Sequence, residues 1–264
     1  MLNEYKALIL AIIEGFTEFL PISSTAHLVF ASNLLEFNII PNYSFEIIIQ
    51  FAAILPLFII YRVELFTPLL GLKQKENRDF YLKFLIALMP IIIIGGIFGD
   101  VIKAKIFDLN IISASLIVGG LIMIFIDKIL AKPQIHELKD VNFKKSMTIG
   151  MFQILALLPG MSRAGSTIIG GMFIGLNRET SAKFSFFLAI PTILAATTYD
   201  LVKNYDNLTF DSSMILLLGF VASFIVAYIV IWNFNKIISN LGFRVLGIYR
   251  VILGMVIICG QYLG

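Results

Sequence analysis

Long apolar stretches separated by short charged ones dominate this chain. Six stretches read as charge-free mark membrane spans: 47–61, 84–99, 111–126, 184–199, 212–235 and 245–264. Several fall short of the ~20 residues of a full crossing, so their ends are expected to run into the flanking charged residues. Two further apolar segments behave differently. Residues 7–35 carry Glu14, Glu18 and a central Pro21, and residues 146–176 carry Pro159-Gly160 and Arg163 at their centre. Each is too long for one simple span and is interrupted by a helix terminator. Two half-helices meeting at a turn inside the membrane make a re-entrant hairpin, which is tolerated only where protein or a cavity surrounds the turn. A pair of kinked full spans is the plainer alternative.

Lys and Arg counts give the orientation. Loop 62–83 holds Arg62, Lys73, Lys75, Arg78 and Lys83, and loop 127–145 holds Lys128, Lys132, Lys139, Lys144 and Lys145. Loop 36–46 has none, and loop 200–211 has only Lys203. The first pair is therefore expected in the cytoplasm and the second pair outside. Loop 100–108, with Lys103 and Lys105, must lie outside if the single spans alternate. Parity then makes 7–35 enter and leave from outside, and 146–176 from the cytoplasm, independently of their prolines.

A repeat follows. Residues 1–126 and 146–264 each read as a hairpin plus three spans, and Leu20-Pro21-Ile22-Ser23-Ser24 resembles Leu158-Pro159-Gly160-Met161-Ser162. Three crossings is an odd number, so the second unit is inverted. The expected fold is an all-α polytopic membrane protein in one membrane domain, with an inverted-topology repeat. It has six transmembrane helices plus two re-entrant helical hairpins, about ten helices in all, and its C-terminus lies outside. Such folds place a site near the midplane, where the hairpin tips meet.

Composition agrees. Of 264 residues, 59% are hydrophobic and 14% charged, against roughly 45–50% and about 25% in soluble domains. Mean hydropathy is +0.93. That apolar surface must face lipid. The net charge is only +3 and no basic run exceeds two residues, which argues against nucleic acid. The single Cys259 excludes a disulfide framework and a thiolate metal cluster. Acidic residues interrupt the first apolar stretch and no basic segment precedes it, so a cleaved signal is not expected.

Chemistry concentrates at the two breaks. Glu14 and Glu18 are four apart, on one helix face. Carboxylates inside a membrane are functional by default, and this pair suits a divalent cation, proton exchange, or a hydrogen-bonded structural role. Ser23, Ser24 and Thr25 open the second half-helix, where free N–H groups favour an anion or simply receive a cap. His27 follows on the face both serines share. It reads as a base activating a serine, as a nucleophile, or as a general acid. In the second hairpin, Gly160, Ser162, Arg163, Gly165, Ser166 and Thr167 read as an oxyanion or phosphate cradle. Carboxylates on one tip and a cradle on the other fit a metal–diphosphate group between them. Glu46 and Gln50, one turn apart on the next span, are candidates to support the site from behind. His136 reads as solvated in a polar loop, and Cys259 and Trp232 as packing.

Glu14-Gly-Phe-Thr-Glu18-Phe-Leu-Pro-Ile-Ser-Ser-Thr-Ala-His27, with Pro159-Gly-Met-Ser-Arg163-Ala-Gly-Ser-Thr167, closely resembles the undecaprenyl-diphosphate phosphatase family, bacterial enzymes linked to bacitracin resistance. The likeness continues through Phe45-Glu46-Ile-Ile-Ile-Gln50 and Phe184–Pro191. It implies hydrolysis of undecaprenyl diphosphate to the monophosphate and inorganic phosphate, at a periplasm-facing site in the bacterial inner membrane, with a divalent cation (Mg²⁺ or Ca²⁺). It implies Glu18, Ser24, His27 and Arg163 as the catalytic set, with Glu14 and Glu18 on the metal. The family pattern usually has a serine after the arginine, where this chain has Ala164; the backbone N–H and Ser166 are the expected substitutes. The expected partners are the polyprenyl diphosphate lipid and membrane lipids, and a homodimer is compatible with the reading. The rival function is a secondary transporter or lipid flippase, which shares inverted repeats and broken helices but needs no nucleophile beside a base.

Overall fold

Proline lacks the N–H that a helix ladder needs, and both predicted breaks fall where proline stands. The computed structural model describes residues 2–37, 44–130, 133–203 and 213–263. Parts of the loops at 36–46, 127–145 and 200–211, and the terminal Gly264, lie outside the described residues. The first segment forms α1 (Leu2–Thr17) and α2 (Ser24–Leu35), on either side of Pro21. There follow α3 (Ser44–Ile60), α4 (Arg62–Leu70), α5 (Lys75–Lys105) and α6 (Leu109–Ile129). The second broken segment forms α7 (Phe143–Gln153), a 3-10 turn (Ile154–Leu157) and, past Pro159-Gly160, α8 (Arg163–Phe173). The chain ends with α9 (Arg178–Lys203), α10 (Ser213–Trp232) and α11 (Phe234–Leu263).

The four half-helices have 16, 12, 11 and 11 residues, all short of the ~20 a crossing needs. Five other helices are long and apolar enough to cross, and α3 with α4 makes a sixth if that pair, bent by 71°, counts as one span. α5, α6 and α9 overrun their predicted spans at both ends, as charged flanks allow, whereas α10 falls within 212–235. Two expectations change. Loop 62–83 holds α4, whose Val63, Phe66 and Leu70 are exposed; its short apolar run was too brief to separate from loop by periodicity. Residues 234–241 are also helical, and Gly242 at φ 68° divides that stretch from the last span. The described α-helices number eleven, or twelve when the stretch before Gly242 is counted apart from the last span, which is the expected set of about ten with these two added.

Helix contacts pair off between the halves. α1 packs on α10, and α7 packs on α5; α3 meets α9, and α6 meets α11. Small residues permit the closest crossings. A Cβ on Gly15 of α1 would lie 2.6 Å from the Ser223 carbonyl of α10, and one on Gly150 of α7 would collide with Ala87 of α5. At the α6–α11 crossing, a Cβ on Gly120 would lie 2.6 Å from the Gly247 carbonyl, and one on Gly247 would lie 2.6 Å from the Gly120 carbonyl. The outer surface is apolar. Leu217, Val221, Ile225 and Ile229 form an exposed stripe at every fourth position of α10, a surface that water would oppose and lipid accepts. The polar residues of the two broken segments are buried instead, Glu14, Glu18, Ser23, Ser24 and Ser162 among them, and so is Arg250 of α11.

Candidate active site

The two breaks share one unusual backbone feature. Ser23 (φ 72°) and Ser162 (φ 76°) both adopt left-handed conformations, rare for non-glycine residues, and each caps the half-helix after it. Ser23 Oγ accepts from the Ala26 N–H at 3.3 Å, and Ser162 Oγ accepts from the Gly165 N–H at 3.0 Å. Backbone strain of this kind persists only where the surroundings impose it. The caps also shift the internal match by one residue: Ser23, not Ser24, corresponds to Ser162. A proline-anchored match misses this because the second turn has one residue more between proline and cap.

Both caps lead into one cavity of about 170 Å³, lined from the first break by Glu18, Ser23, Ser24 and Thr25 and from the second by Pro159, Gly160, Ser162 and Arg163. The N-termini of α2 and α8 thus open on the same space, where free N–H groups favour an anion. Thr192, Ile193 and Ala196 of α9 and Ile91 of α5 close its sides. A larger cavity, about 690 Å³, lies among Glu64, Lys83, His136, Glu137, Glu179 and Lys183; none of the predicted site residues lines it.

Glu18 joins the two tips. Its Oε1 accepts from Arg163 Nη2 at 2.7 Å, and its Oε2 accepts from Ser24 Oγ at 2.7 Å. Gln50 Nε2 also donates to Oε2, at 3.4 Å, so the support expected from α3 reaches the site. The Arg163 guanidinium lies 5.7 Å above the Phe19 ring. Its Nη1 donates to the Ser185 carbonyl at 3.1 Å. Glu14 sits one turn before Glu18, fully buried, and neither carboxylate oxygen has a hydrogen-bond partner among the described residues. Glu18, Glu46 and Arg163 are its charged neighbours.

Several predicted placements change. His27 does not touch Ser24. Its Nδ1 lies 2.7 Å from the Ser23 carbonyl oxygen, and its Nε2 lies 2.6 Å from the Tyr249 hydroxyl of α11, with the two rings stacked. The Ser24 hydroxyl faces Glu18, which stands where the imidazole was expected. The cradle is shorter than expected as well. The Gly165 N–H is used by the Ser162 cap, Ser166 Oγ donates to the Ser162 carbonyl at 2.9 Å, and Thr167 Oγ1 donates to the Arg163 carbonyl at 2.9 Å and shares a hydroxyl–hydroxyl hydrogen bond with Ser185 Oγ at 2.6 Å. The helical turn carries these residues away from the cavity. Ala164 packs in the apolar core, so Ser166 does not replace a hydroxyl there. Glu14 and His27 likewise do not line the cavity. His136 is exposed, as expected of a polar loop, and is also hydrogen-bonded to Asn177 at 3.0 Å.

Sequence reasoning missed three residues. Ser185 and Tyr249 carry no signal beyond being polar within apolar runs. Arg250 carries a strong one: it is a charge inside 245–264, a stretch read as charge-free, and an intramembrane cation is a functional candidate. It is 1% exposed and donates to the carbonyls of Pro21, Ser115, Gly160 and Met161.

The family described as bacitracin resistance protein BacA matches residues 7–256. The chain is 41% identical over 258 residues to undecaprenyl-diphosphatase 3 of Acinetobacter baylyi, covering 97% of each protein. It is 42% identical over 261 residues to the undecaprenyl-diphosphatase of Nitrosospira multiformis, covering 98% of this chain and 95% of that one. It is 42% identical over 257 residues to that of Sulfurimonas denitrificans, covering 96% of each.

Proposed function

The chain belongs to the bacitracin resistance protein BacA family, and from that premise we infer that it hydrolyses undecaprenyl diphosphate to undecaprenyl phosphate and inorganic phosphate. It is a multi-pass membrane protein of a bacterial family and a phosphoric anhydride hydrolase. The observation that carries the site assignment is the meeting of the two breaks: Glu18 holds Ser24 and Arg163 at 2.7 Å each, beside two open helix N-termini.

In the reaction we propose, the diphosphate enters between the N-termini of α2 and α8, and its terminal phosphate recruits Arg163 from Glu18. Phosphoryl transfer is mainly positioning and charge neutralisation, and a forked guanidinium with backbone N–H groups supplies both. Glu18, relieved of its ion pair, keeps the Ser24 hydroxyl as its remaining strong donor and takes its proton. Ser24 Oγ attacks the terminal phosphorus, the bridging P–O bond breaks, and undecaprenyl phosphate leaves. Water then releases inorganic phosphate from Ser24, and the hydroxyl regains its proton. The polyprenyl chain stays among the apolar helices, with the head group alone in the cavity.

The residues also fit a divalent cation. Glu14 presents two buried carboxylate oxygens without partners, next to Glu18. Hard cations take one or two carboxylates together with substrate phosphate oxygens. Glu14 and Glu18 would hold it, and it would neutralise charge on the diphosphate. We further read the chain as two inverted halves, which the exchange of helix partners supports, with the cavity opening outward as the Lys and Arg counts indicate.

The test is phosphate release from undecaprenyl diphosphate by purified protein in detergent, with Mg²⁺ or Ca²⁺ and with EDTA. Release that EDTA abolishes is expected. No release from folded protein would sink the hydrolase reading, and release indifferent to EDTA would sink the cation.

A further inference from the structure

We propose that Arg250 is a positioning residue of the active site: from α11 it binds the carbonyl oxygens of both hairpin breaks and fixes how far Ser24 stands from Arg163. The proposal rests on the diphosphatase reading of the cavity. Arg250 Nη1 donates to the Pro21 carbonyl at 3.1 Å, in the first break. Its Nη2 donates to the Gly160 and Met161 carbonyls at 3.1 and 3.0 Å, in the second break, and to the Ser115 carbonyl of α6 at 3.2 Å. One guanidinium therefore spans two turns that lie far apart in sequence and have no ladder of their own to hold them.

Its acceptors are backbone carbonyls, joined by a distant Met123 Sδ at 3.8 Å. Arg250 has no counter-ion among the described residues; a charge buried in that way is expensive, and a well-packed apolar side chain of similar volume usually serves stability as well or better. What an apolar residue cannot do is orient carbonyls. In a trans peptide the C=O and the following N–H point in opposite directions. Drawing the Met161 carbonyl towards Arg250 turns the Ser162 N–H to the other side of that peptide, and Ser162 lines the cavity. The guanidinium thereby sets the backbone on which both the Ser162 cap and Arg163 depend.

The seat for this side chain is also built. A Cβ on Gly119 of α6 would collide with Arg250 Nη2, and one on Gly165 of α8 would lie 3.3 Å from Nη1. Gly119→Ala therefore displaces the guanidinium without removing it.

The experiment measures kcat and KM for phosphate release by purified Arg250→Met, Arg250→Lys and Gly119→Ala beside the wild type, with folding checked by size exclusion and thermal unfolding. Misplacing reacting groups by about 1 Å can cost roughly 100-fold in rate, so Arg250→Met is expected to lose about that much kcat with KM little changed. Arg250→Lys, keeping a charge but not the fork, is expected to fall between it and the wild type, and Gly119→Ala to lose kcat as well. Folded Arg250→Met with wild-type kcat overturns the proposal. If Arg250→Met does not fold, Gly119→Ala decides on the same criterion. Misfolding of all three variants would mean that Arg250 serves the fold alone, and also overturns it. An inactive wild type would refute the diphosphatase reading itself, and this role with it.

Discussion

Glu18 is the residue on which the site turns, because each of its oxygens is bound from a different hairpin. Spacing in the sequence located it correctly beside Glu14, but could not say which hydroxyl or cation it would meet. The Ser24–His27 pair shows the limit from the other side. Positions three apart share a helix face, yet the partner of each side chain is set by what packs opposite, and α11 brings Tyr249 to His27 from 222 residues away. Tyr249→Phe removes that hydroxyl; a neutral hydrogen bond is worth about 0.5–1.5 kcal/mol, so turnover should fall by roughly 2–10-fold. Unchanged steady-state kinetics would show that His27 needs no outer partner. At the caps, Ser162→Gly removes the hydroxyl but relieves the left-handed strain, whereas Ser162→Ala loses the cap and keeps the strain. Thermal unfolding should rank Gly above Ala, a difference of about 1 kcal/mol; the reverse order would contradict the strained φ.

Among the elements, the breaks were legible because proline and glycine act through the local backbone. The same locality explains the misses: α4 is a short apolar run, and the match between the two breaks follows cap conformation, not proline. Gly160 ties the second break to α6, since its φ is 92° and a Cβ would meet the Ile112 carbonyl at 2.5 Å. Gly160→Ala should therefore destabilise by roughly 1–3 kcal/mol through strain and overpacking, read as a lower unfolding temperature in detergent. Wild-type stability in that variant would mean that the break is not held against α6.

Across the whole molecule, composition alone dictated burial in lipid, and charge counts supply only the orientation proposed above. The convergence of both tips on Arg250 was not readable, since it joins residues from three distant stretches. In Cys259→Ser protein carrying His136→Cys, a membrane-impermeant maleimide should label only after the cells are opened, as the proposed cytoplasmic placement of that loop requires; labelling of intact cells would reverse the orientation. The central claim is that diphosphate is cleaved between the two breaks. Its most direct test is phosphate release by Glu18→Gln, Ser24→Ala and Arg163→Ala, with His136→Ala in the other cavity as control. Removing one preorganised donor or acceptor costs about 10²–10³ in rate. The account predicts losses of that order in the three site variants and wild-type turnover in the control, whereas folded Arg163→Ala and Ser24→Ala proteins turning over like the wild type would place the chemistry elsewhere.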